Sequence, residues 1–316
     1  MTENSSVESL RRQQRLILRC VTAFLLDVMG RQIPRHGGDF TRAVVYMAAV
    51  QASRSPSIEG AADRPARTFS VRAIAQSMGL AYETTRRNIA ELEAAGLARR
   101  VDRRGYAVAP SVFEGESYRA DCEATWRALR RLIIDLRGLG FDFSQFAGGS
   151  SLASARQLAR ADLVEDVAVL VNDFLLRVLE AGAEPHGSML DASIFSTLLL
   201  ANAELLTNDP QLAWVYAGAE TPPPDNLRKP ATITGVAQAL GLTHETVRRR
   251  IRRYRERGWV KRVTGGYLIT VERLQDPVVL RGGLMISQRF LQLVQSIRLL
   301  GVEPDVIEAE ADGRRT

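Results

Sequence analysis

The sequence predicts a mainly α-helical protein whose two halves are alike and each carry a small β-hairpin. Three observations predict this: a short segment that occurs twice, apolar residues at helical spacing around each copy, and alternating stretches around a polar turn after each copy. The segment at 79–89, GLAYETTRRNI, returns at 241–251 as GLTHETVRRRI, with seven of eleven positions identical. Such identity indicates an internal duplication of a turn followed by a basic helix.

Two helical patterns precede each copy of this segment. The first has apolar positions that recur 150 residues later, as expected for corresponding helices. These positions are Ile17, Val21, Phe24, Leu25, Val28 and Met29, and in the second half Val167, Val171, Phe174, Leu175, Val178 and Leu179. A second apolar helix is expected over 40–50 and, at an offset near 155, over 195–205.

A long closing helix follows each copy, at an offset of 161. Its matching residues are Leu132, Ile133, Leu136, Arg137 and Gly140, and Leu293, Val294, Ile297, Arg298 and Gly301. We therefore expect two units, 12–146 and 155–303, that form an internal dimer with a pseudo-two-fold axis. The composition of 147–151, AGGSS, is typical of a flexible joint, and flexible tails are expected at 1–11 and 304–316.

Composition limits the class of protein. Of the 316 residues 46% are hydrophobic, enough for a core, and no apolar run is long enough to span a bilayer. Cys20 and Cys122 are too few for a disulfide framework, and the polar start lacks a signal-peptide pattern, so we expect a cytoplasmic protein. No phosphate-binding glycine loop occurs, and His36, His186 and His244 are far apart in the chain. The sequence therefore predicts no enzyme, no cofactor and no metal site.

The distribution of charge is more informative than its total. The net charge is +6, but the stretch 243–262 alone has nine basic and two acidic residues. A local positive field attracts nucleic-acid phosphates and makes the binding depend steeply on salt.

Helix boundaries can be predicted around both copies. The hydroxyls of Ser70 and Thr232 are expected to cap the helix that precedes each turn. Gly79 and Gly241 are expected to end that helix, because glycine adopts the left-handed conformation at little cost. In the helix after the turn, one side is expected to pack on the core; it carries Thr85, Ile89 and Leu92 in the first copy, and Val247, Ile251 and Tyr254 in the second.

The opposite side of this helix carries candidate DNA-binding residues. Arginine can bond both major-groove acceptors of guanine, glutamate can accept from cytosine N4, and further arginines can reach phosphates. The candidates are Tyr82, Glu83, Thr84, Arg86 and Arg87, and His244, Glu245, Thr246, Arg248, Arg249, Arg252 and Arg253. The hairpins that follow, over 97–108 and 259–269, add Arg103, Arg104, Lys261 and Arg262, while Tyr106 and Tyr267 are expected to pack within them.

This pattern resembles the winged helix-turn-helix of bacterial transcription regulators, with the motif at about 70–108 and again at about 232–269. It is especially similar to the Crp/Fnr type through Gly241-Leu242-Thr243, Glu245-Thr246-Val247, Arg249 and Gly258-Trp259. The resemblance implies that Glu245 and Arg249, and Glu83 and Arg87, read bases. The family's leading arginine is replaced here by Tyr82 and His244, which implies a different half-site. The arrangement of helices around each wing is similar to that of MarR-type regulators, which work as homodimers.

We therefore expect a nucleoid-associated transcription regulator that places two recognition helices in successive major grooves of double-stranded DNA. RNA polymerase and a second copy of the chain are further candidate partners, and no membrane is expected. Three alternatives stay open: a plasmid-type replication initiator, an effector-responsive repressor, and a protein-interaction adaptor built on winged helices. Because Ala90 and Glu91 stand where the second copy has Arg252 and Arg253, the second copy is expected to hold DNA more strongly.

Overall fold

The computed structural model describes residues 3–54, 67–103, 105–146, 161–304 and 307. In these ranges the chain is mainly α-helical and has two small antiparallel hairpins, as expected from the sequence. No helix within them combines the length and the hydropathy that crossing a membrane requires.

Among its described residues the first half contains six α-helices, one hairpin and a 3₁₀ helix, Phe143–Phe146. In chain order the α-helices and strands are α1 (Glu3–Arg35), α2 (Phe40–Ser53), α3 (Val71–Ser77), α4 (Tyr82–Ala94), β1 (Ala98–Arg100), β2 (Tyr106–Val108), α5 (Pro110–Glu114) and α6 (Glu116–Gly138).

Among its described residues the second half repeats the order of the α-helices and strands and adds two short α-helices, α9 and α10, and a 3₁₀ helix, Asp225–Leu227. Its α-helices and strands are α7 (Ala161–His186), α8 (Met189–Asn202), α9 (Glu204–Thr207), α10 (Pro210–Val215), α11 (Ile233–Leu240), α12 (His244–Glu256), β3 (Val260–Val263), β4 (Gly266–Ile269), α13 (Val271–Leu274) and α14 (Pro277–Leu299). The closing helices α6 and α14 both have 23 residues.

The long helices of the two halves pack on one another. Helix α1 contacts both α6 and α14, and helix α7 also contacts both. The second helices follow the same rule, since α2 packs on α7 and α8 packs on α1. The largest apolar cluster therefore contains residues from both halves, such as Ile17, Met29, Val167 and Phe290. A core shared in this way joins the two halves, and the boundaries at 12–146 and 155–303 stay a prediction.

The expected position of the second helix is wrong in the second half. The side chain of Asp39 caps α2 by accepting from the Arg42 N–H, and Ser188 caps α8 by accepting from the Asp191 N–H. The helices therefore begin at Phe40 and Met189, and Phe195 lies in the middle of α8. Most positions of α8 are buried, so its apolar residues do not mark one face and could not fix its start.

The described part of the expected N-terminal tail is helical. Residues 3–11 belong to α1, the Leu10 side chain is 3% exposed, and the Arg11 carbonyl accepts from the Ala219 N–H at 3.1 Å. Backbone hydrogen bonds to the segment after α10, from Ala219 to Arg11 and from Arg15 to Ala217, attach this part of the helix to the rest of the molecule. The joint at 147–151 and most of the tail at 304–316 lie outside the described residues. Ile307, which is described, is buried, and its carbonyl accepts from Arg137 Nη1 at 2.6 Å.

Candidate nucleic-acid interface

Two segments of the chain have the same local construction. The first segment, residues 69–108, contains α3, α4, β1 and β2, and the second segment, residues 231–269, contains α11, α12, β3 and β4. As expected, Ser70 Oγ accepts from the Ala73 N–H at 3.1 Å, and Thr232 Oγ1 accepts from the Gly235 N–H at 3.0 Å. The glycines of the turns, Gly79 and Gly241, have φ of +59° and +61°. Left-handed backbone at these positions turns the chain sharply between the two helices.

The inner sides of α4 and α12 are buried, as the sequence predicts. They consist of Thr85, Ile89 and Leu92 in α4, and Val247, Ile251 and Tyr254 in α12. The Tyr254 hydroxyl is 2.9 Å from both the carbonyl and the carboxylate Oδ1 of Asp191 in α8. Burial raises the pKa of Tyr254, so its hydroxyl stays protonated and donates a hydrogen bond to Asp191.

An ion pair also fixes each of these helices: it joins α12 to α8 and α4 to α2. In the second segment Arg250 Nη1 is 2.5 Å from Asp191 Oδ2. In the first segment Glu91 of α4 pairs with Arg42 of α2. The orientation of α4 and α12 is therefore set by buried or half-buried charges that the sequence patterns did not identify.

The exposed sides of α4 and α12 carry the same ion pair. Arg86 Nε is 2.8 Å from Glu83 Oε2, and Arg248 Nε is 2.7 Å from Glu245 Oε2. The hydrogen bond from Arg248 holds the pKa of Glu245 below its ordinary value, so this carboxylate is charged at neutral pH. Each glutamate is thus an oriented hydrogen-bond acceptor at the solvent surface.

Arg87 and Arg249 are exposed at corresponding positions of α4 and α12. Neither has a hydrogen bond or an ion pair with another residue of the described ranges. A new ligand can therefore bind these two guanidinium groups without breaking an existing contact.

The outer side of α12 is more basic than that of α4. Arg252, which is 3.8 Å from Glu256, and Arg253 are both exposed. The corresponding positions in α4 are Ala90, which is exposed, and Glu91, which is held by Arg42. The two helices therefore present unequal positive charge.

The starts of the two helices differ as well. Thr243 Oγ1 accepts from the Thr246 N–H at 3.2 Å, whereas Ala81 gives α4 no side-chain cap. Tyr82 and His244 are exposed at the first position of each helix, and Thr84 and Thr246 are half-buried.

The hairpins pack on the helices through their bases. An isolated β-bridge ties the residue before each helix pair to the hairpin, since Phe69 pairs with Tyr106 and Ala231 pairs with Tyr267. Tyr106 is buried, as expected of a packing aromatic, and Tyr267 is half-buried. A side chain at the end of the second helix also binds each hairpin: Ser53 Oγ accepts from the Val108 N–H at 3.2 Å, and Asn202 Oδ1 accepts from the Ile269 N–H at 3.0 Å.

The basic residues of the hairpins are not all equally available. Arg103 and Arg262 are exposed, whereas Lys261 is paired with Asp225 in the loop before α11. Arg104 lies outside the described residues. The sequence patterns gave no reason to expect Asp225 beside Lys261, since the two are 36 positions apart.

Comparison with known proteins identified no similar protein. No family model matches the chain, and neither a curated protein nor a solved structure was found to match it.

Proposed function

We propose that the protein is a sequence-specific double-stranded DNA-binding transcription regulator with two winged helix-turn-helix readers. The first segment is reader 1 and the second segment is reader 2. The observation that carries the proposal is the repeated surface of α4 and α12: a glutamate and two arginines lie on the exposed side of a helix whose opposite side is buried. A helix held in this way can enter the major groove as a rigid body.

The chemistry of the exposed residues suits base edges and phosphates. Arg87 and Arg249 can each donate two parallel hydrogen bonds to guanine, and they need not leave another partner to do so. Glu83 and Glu245 are charged acceptors of the kind that bind cytosine N4. The arginines paired with them, Arg86 and Arg248, can exchange this pair for a phosphate.

A basic groove beside α4 supports phosphate contact by reader 1. It lies between α3, α4 and the first hairpin, and its arginines are Arg72, Arg86, Arg100 and Arg103. Guanidinium groups on both a helix and a hairpin match the two edges of a groove in duplex DNA, where they fix register without reading sequence.

Reciprocal packing of the two halves supports an internal pseudo-dimer. In an interface with two-fold symmetry, a contact from one half to the other is matched by the reverse contact. Here α1 packs on α14 while α7 packs on α6, and α2 packs on α7 while α8 packs on α1. Two cavities between the halves are also lined by corresponding residues: Val28, Tyr46 and Thr125 in one, and Val178, Phe195 and Ile286 in the other. Two readers related in this way suit half-sites about 10 bp apart.

Binding measurements on Arg249→Ala and Arg253→Ala test this function. Fluorescence anisotropy would compare a duplex selected by the wild-type protein with a scrambled duplex, over a range of salt. We expect Arg249→Ala to cost about 1–3 kcal/mol on the selected duplex and to relax base preference there. Arg253→Ala should weaken binding to both duplexes alike and reduce its salt dependence.

Arg289→Ala, which removes an exposed arginine from the closing helix α14, is the control and should bind as the wild type does. Unchanged binding by both reader variants would contradict the proposal.

A further inference from the structure

The two readers are attached to the rest of the molecule in different ways. Helix α11 of reader 2 packs on α8 of its own half and also on α1 of the other half. The described residues of reader 1 pack on α2 through α3, α4 and β2, but neither α3 nor α4 packs to this extent on α7, the counterpart of α1. In the described part of the chain, reader 2 is therefore held by both halves and reader 1 by one.

A glycine in α1 allows the close approach of reader 2. A Cβ atom at Gly30 would lie 3.2 Å from the carbonyl oxygen of Ala239 in α11. A Cβ atom at Gly241, in the turn of reader 2, would lie 3.0 Å from Cγ of Pro34. Because glycine has no side chain, the two backbones can come this close. The turn of reader 2 therefore lies directly on the end of α1.

The corresponding place in reader 1 is open. Gly79 has the same left-handed backbone as its counterpart Gly241, but among the described residues beyond its chain neighbours no atom lies within 4 Å of the position of a Cβ there. At the offset of 150, α7 has Glu180 where α1 has Gly30, and Glu180 is exposed. Burying this carboxylate under α3 would remove its hydration. Helix α7 therefore gives the turn of reader 1 no support of the kind that α1 gives reader 2.

A tyrosine gives reader 2 a further attachment. The Tyr254 hydroxyl donates to the Asp191 carboxylate of α8 at 2.9 Å, and Arg250 pairs with the same carboxylate. By the spacing of the repeated segments, reader 1 has Leu92 and Asn88 at these two positions. Leu92 is buried, but its side chain has no group that can form such a hydrogen bond.

A tryptophan joins the second hairpin to the long helices. The guanidinium carbon of Arg273 lies 3.8 Å from the centre of the Trp259 ring, and the ring of His186, in α7, has its centre 6.1 Å from it. Stacked cation–aromatic contacts of this kind stabilise one orientation of the ring. Reader 1 has the half-buried Leu97 at the corresponding position.

The contacts that hold reader 1 are weaker and less directional. Its ion pair with α2 joins Arg42 to Glu91, whose side chains are 31% and 40% exposed, and an exposed pair contributes little to stability. Ser53 Oγ of α2 accepts from the Val108 N–H at 3.2 Å. The rest is apolar packing on one helix, which is not directional, so rotation on that helix breaks few specific bonds.

We infer that reader 1 turns on α2 as a unit while reader 2 stays fixed to both halves. Moving a half-site by one base pair shifts it by about 3.4 Å along the duplex and turns it by about 35°. Reader 1 can follow such a shift, so the chain binds operators whose half-site spacing varies by one base pair in either direction. This consequence for DNA rests on the proposed function, whereas the motion is a property of the chain alone.

Distances between spin labels test the motion without DNA. Introduced cysteines would join each reader to the closing helix of its own half, Ala94→Cys with Arg127→Cys in the first half and Glu256→Cys with Gln288→Cys in the second. All four positions are exposed, and the native cysteines are buried. Double electron–electron resonance should give a broader distribution of distances for the first pair than for the second. Equally narrow distributions would contradict the inference.

Duplexes with altered spacing test the consequence for binding. The half-sites of the selected duplex would be placed one base pair closer together or one base pair farther apart, and Kd would be measured by anisotropy. We expect Kd to rise at most about tenfold, the equivalent of one lost weak contact. Two fixed readers would lose the contacts of one half-site and at least about a hundredfold in Kd, and that loss at both spacings would contradict the inference. If no duplex is selected, the proposed function fails, and the label distances still decide whether reader 1 turns.

A substitution in α1 tests what fixes reader 2. Gly30→Glu gives α1 the residue that α7 has and should separate α11 from α1, so the label distances of the second half should broaden. Glu180→Ala changes the corresponding exposed residue of α7 and should leave both distributions unchanged. An unchanged second distribution in folded Gly30→Glu would contradict the inference. If Gly30→Glu does not fold, the comparison of the two label pairs without this substitution decides the outcome.

Discussion

Arg42 and Asp191 occupy the same position in α2 and α8, the third residue after the N-cap, and carry opposite charges. Each pairs with the helix that lies over it, Arg42 with Glu91 of α4 and Asp191 with Arg250 of α12. The sign of the pair is reversed between the halves, but its role in fixing the exposed helix is the same. The two pairs differ in burial, since the Asp191 side chain is 6% exposed and that of Arg42 is 31% exposed.

Because of this difference, Asp191→Asn should destabilise the protein far more than Arg42→Gln. Loss of the Asp191 charge leaves Arg250 half-buried without a counter-ion and weakens the hydrogen bond from Tyr254, at a cost of about 2–4 kcal/mol. The more exposed pair of Arg42 should contribute less than about 1 kcal/mol. Urea unfolding of the two variants measures both values, and equal losses would contradict this account of how α12 is held.

Substitutions at the N-caps of α12 and α4 should change the stability of the protein in opposite directions. Thr243→Ala removes the hydrogen bond to the Thr246 N–H and should cost about 1 kcal/mol. Ala81 already has the extended backbone of an N-cap, with φ of −62° and ψ of 135°, so Ala81→Thr should add up to about 1 kcal/mol. Thermal unfolding checks both variants. A loss of stability in Ala81→Thr would mean that the start of α4 has no room for a capping hydroxyl.

Because His36 and His186 are buried, we expect the protein to lose stability in acid. Burial, followed by the charges of Arg42 and Arg35, lowers the pKa of His36 to about 4; burial, followed by the charge of Arg273, lowers that of His186 to about 3. Since the unfolded chain binds these protons near pH 6.5, stability is full above that pH and falls as the pH decreases toward 4 and 3.

The effect can be measured with single substitutions. Each of His36→Gln and His186→Gln should reduce the acid slope of the free energy of unfolding between pH 6 and pH 5 by at most about 1.4 kcal/mol per pH unit. His244→Gln changes an exposed residue at the start of α12 and is the control. An acid slope that stays the same in both buried-site variants would show that these histidines are protonated in the folded protein.

Adding an arginine should reduce the difference between the two readers. Ala90 is exposed and corresponds to Arg252 by the spacing of the repeated segments. Ala90→Arg should therefore add one phosphate contact to reader 1 and steepen the slope of log K against log salt by about 0.9. Ala90→Gln, which adds a long side chain without charge, is the control for size. If the slope is the same for both variants, α4 does not lie against the DNA backbone.

Local signals in the sequence predicted the caps, the turns and the buried sides of α4 and α12. Those features depend on single residue types, such as a hydroxyl before a helix or glycine at positive φ, and the structure confirms Ser70, Thr232, Gly79 and Gly241 in these roles. Whether the repeated surface binds DNA stays a prediction.

Periodicity alone could not place α8 or the start of α1. In α8 the buried positions surround the helix, so apolar periodicity does not mark its start, whereas Ser188 followed by Asp191 is the local signal that does. The start of α1 is polar in sequence, and its contacts are to residues far along the chain, such as the hydrogen bond from the Ala219 N–H to the Arg11 carbonyl. Contacts between distant segments, including Lys261 with Asp225, leave no local pattern.

Selection of bound sequences from random duplex DNA, followed by footprinting, tests the central claim most directly. The account predicts two unequal half-sites with centres about 10 bp apart, both protected by one chain. Arg87→Ala should relax base preference in one half-site, and Arg249→Ala should relax it in the other. Enrichment of a single half-site, or of no sequence at all, would contradict the two-reader account.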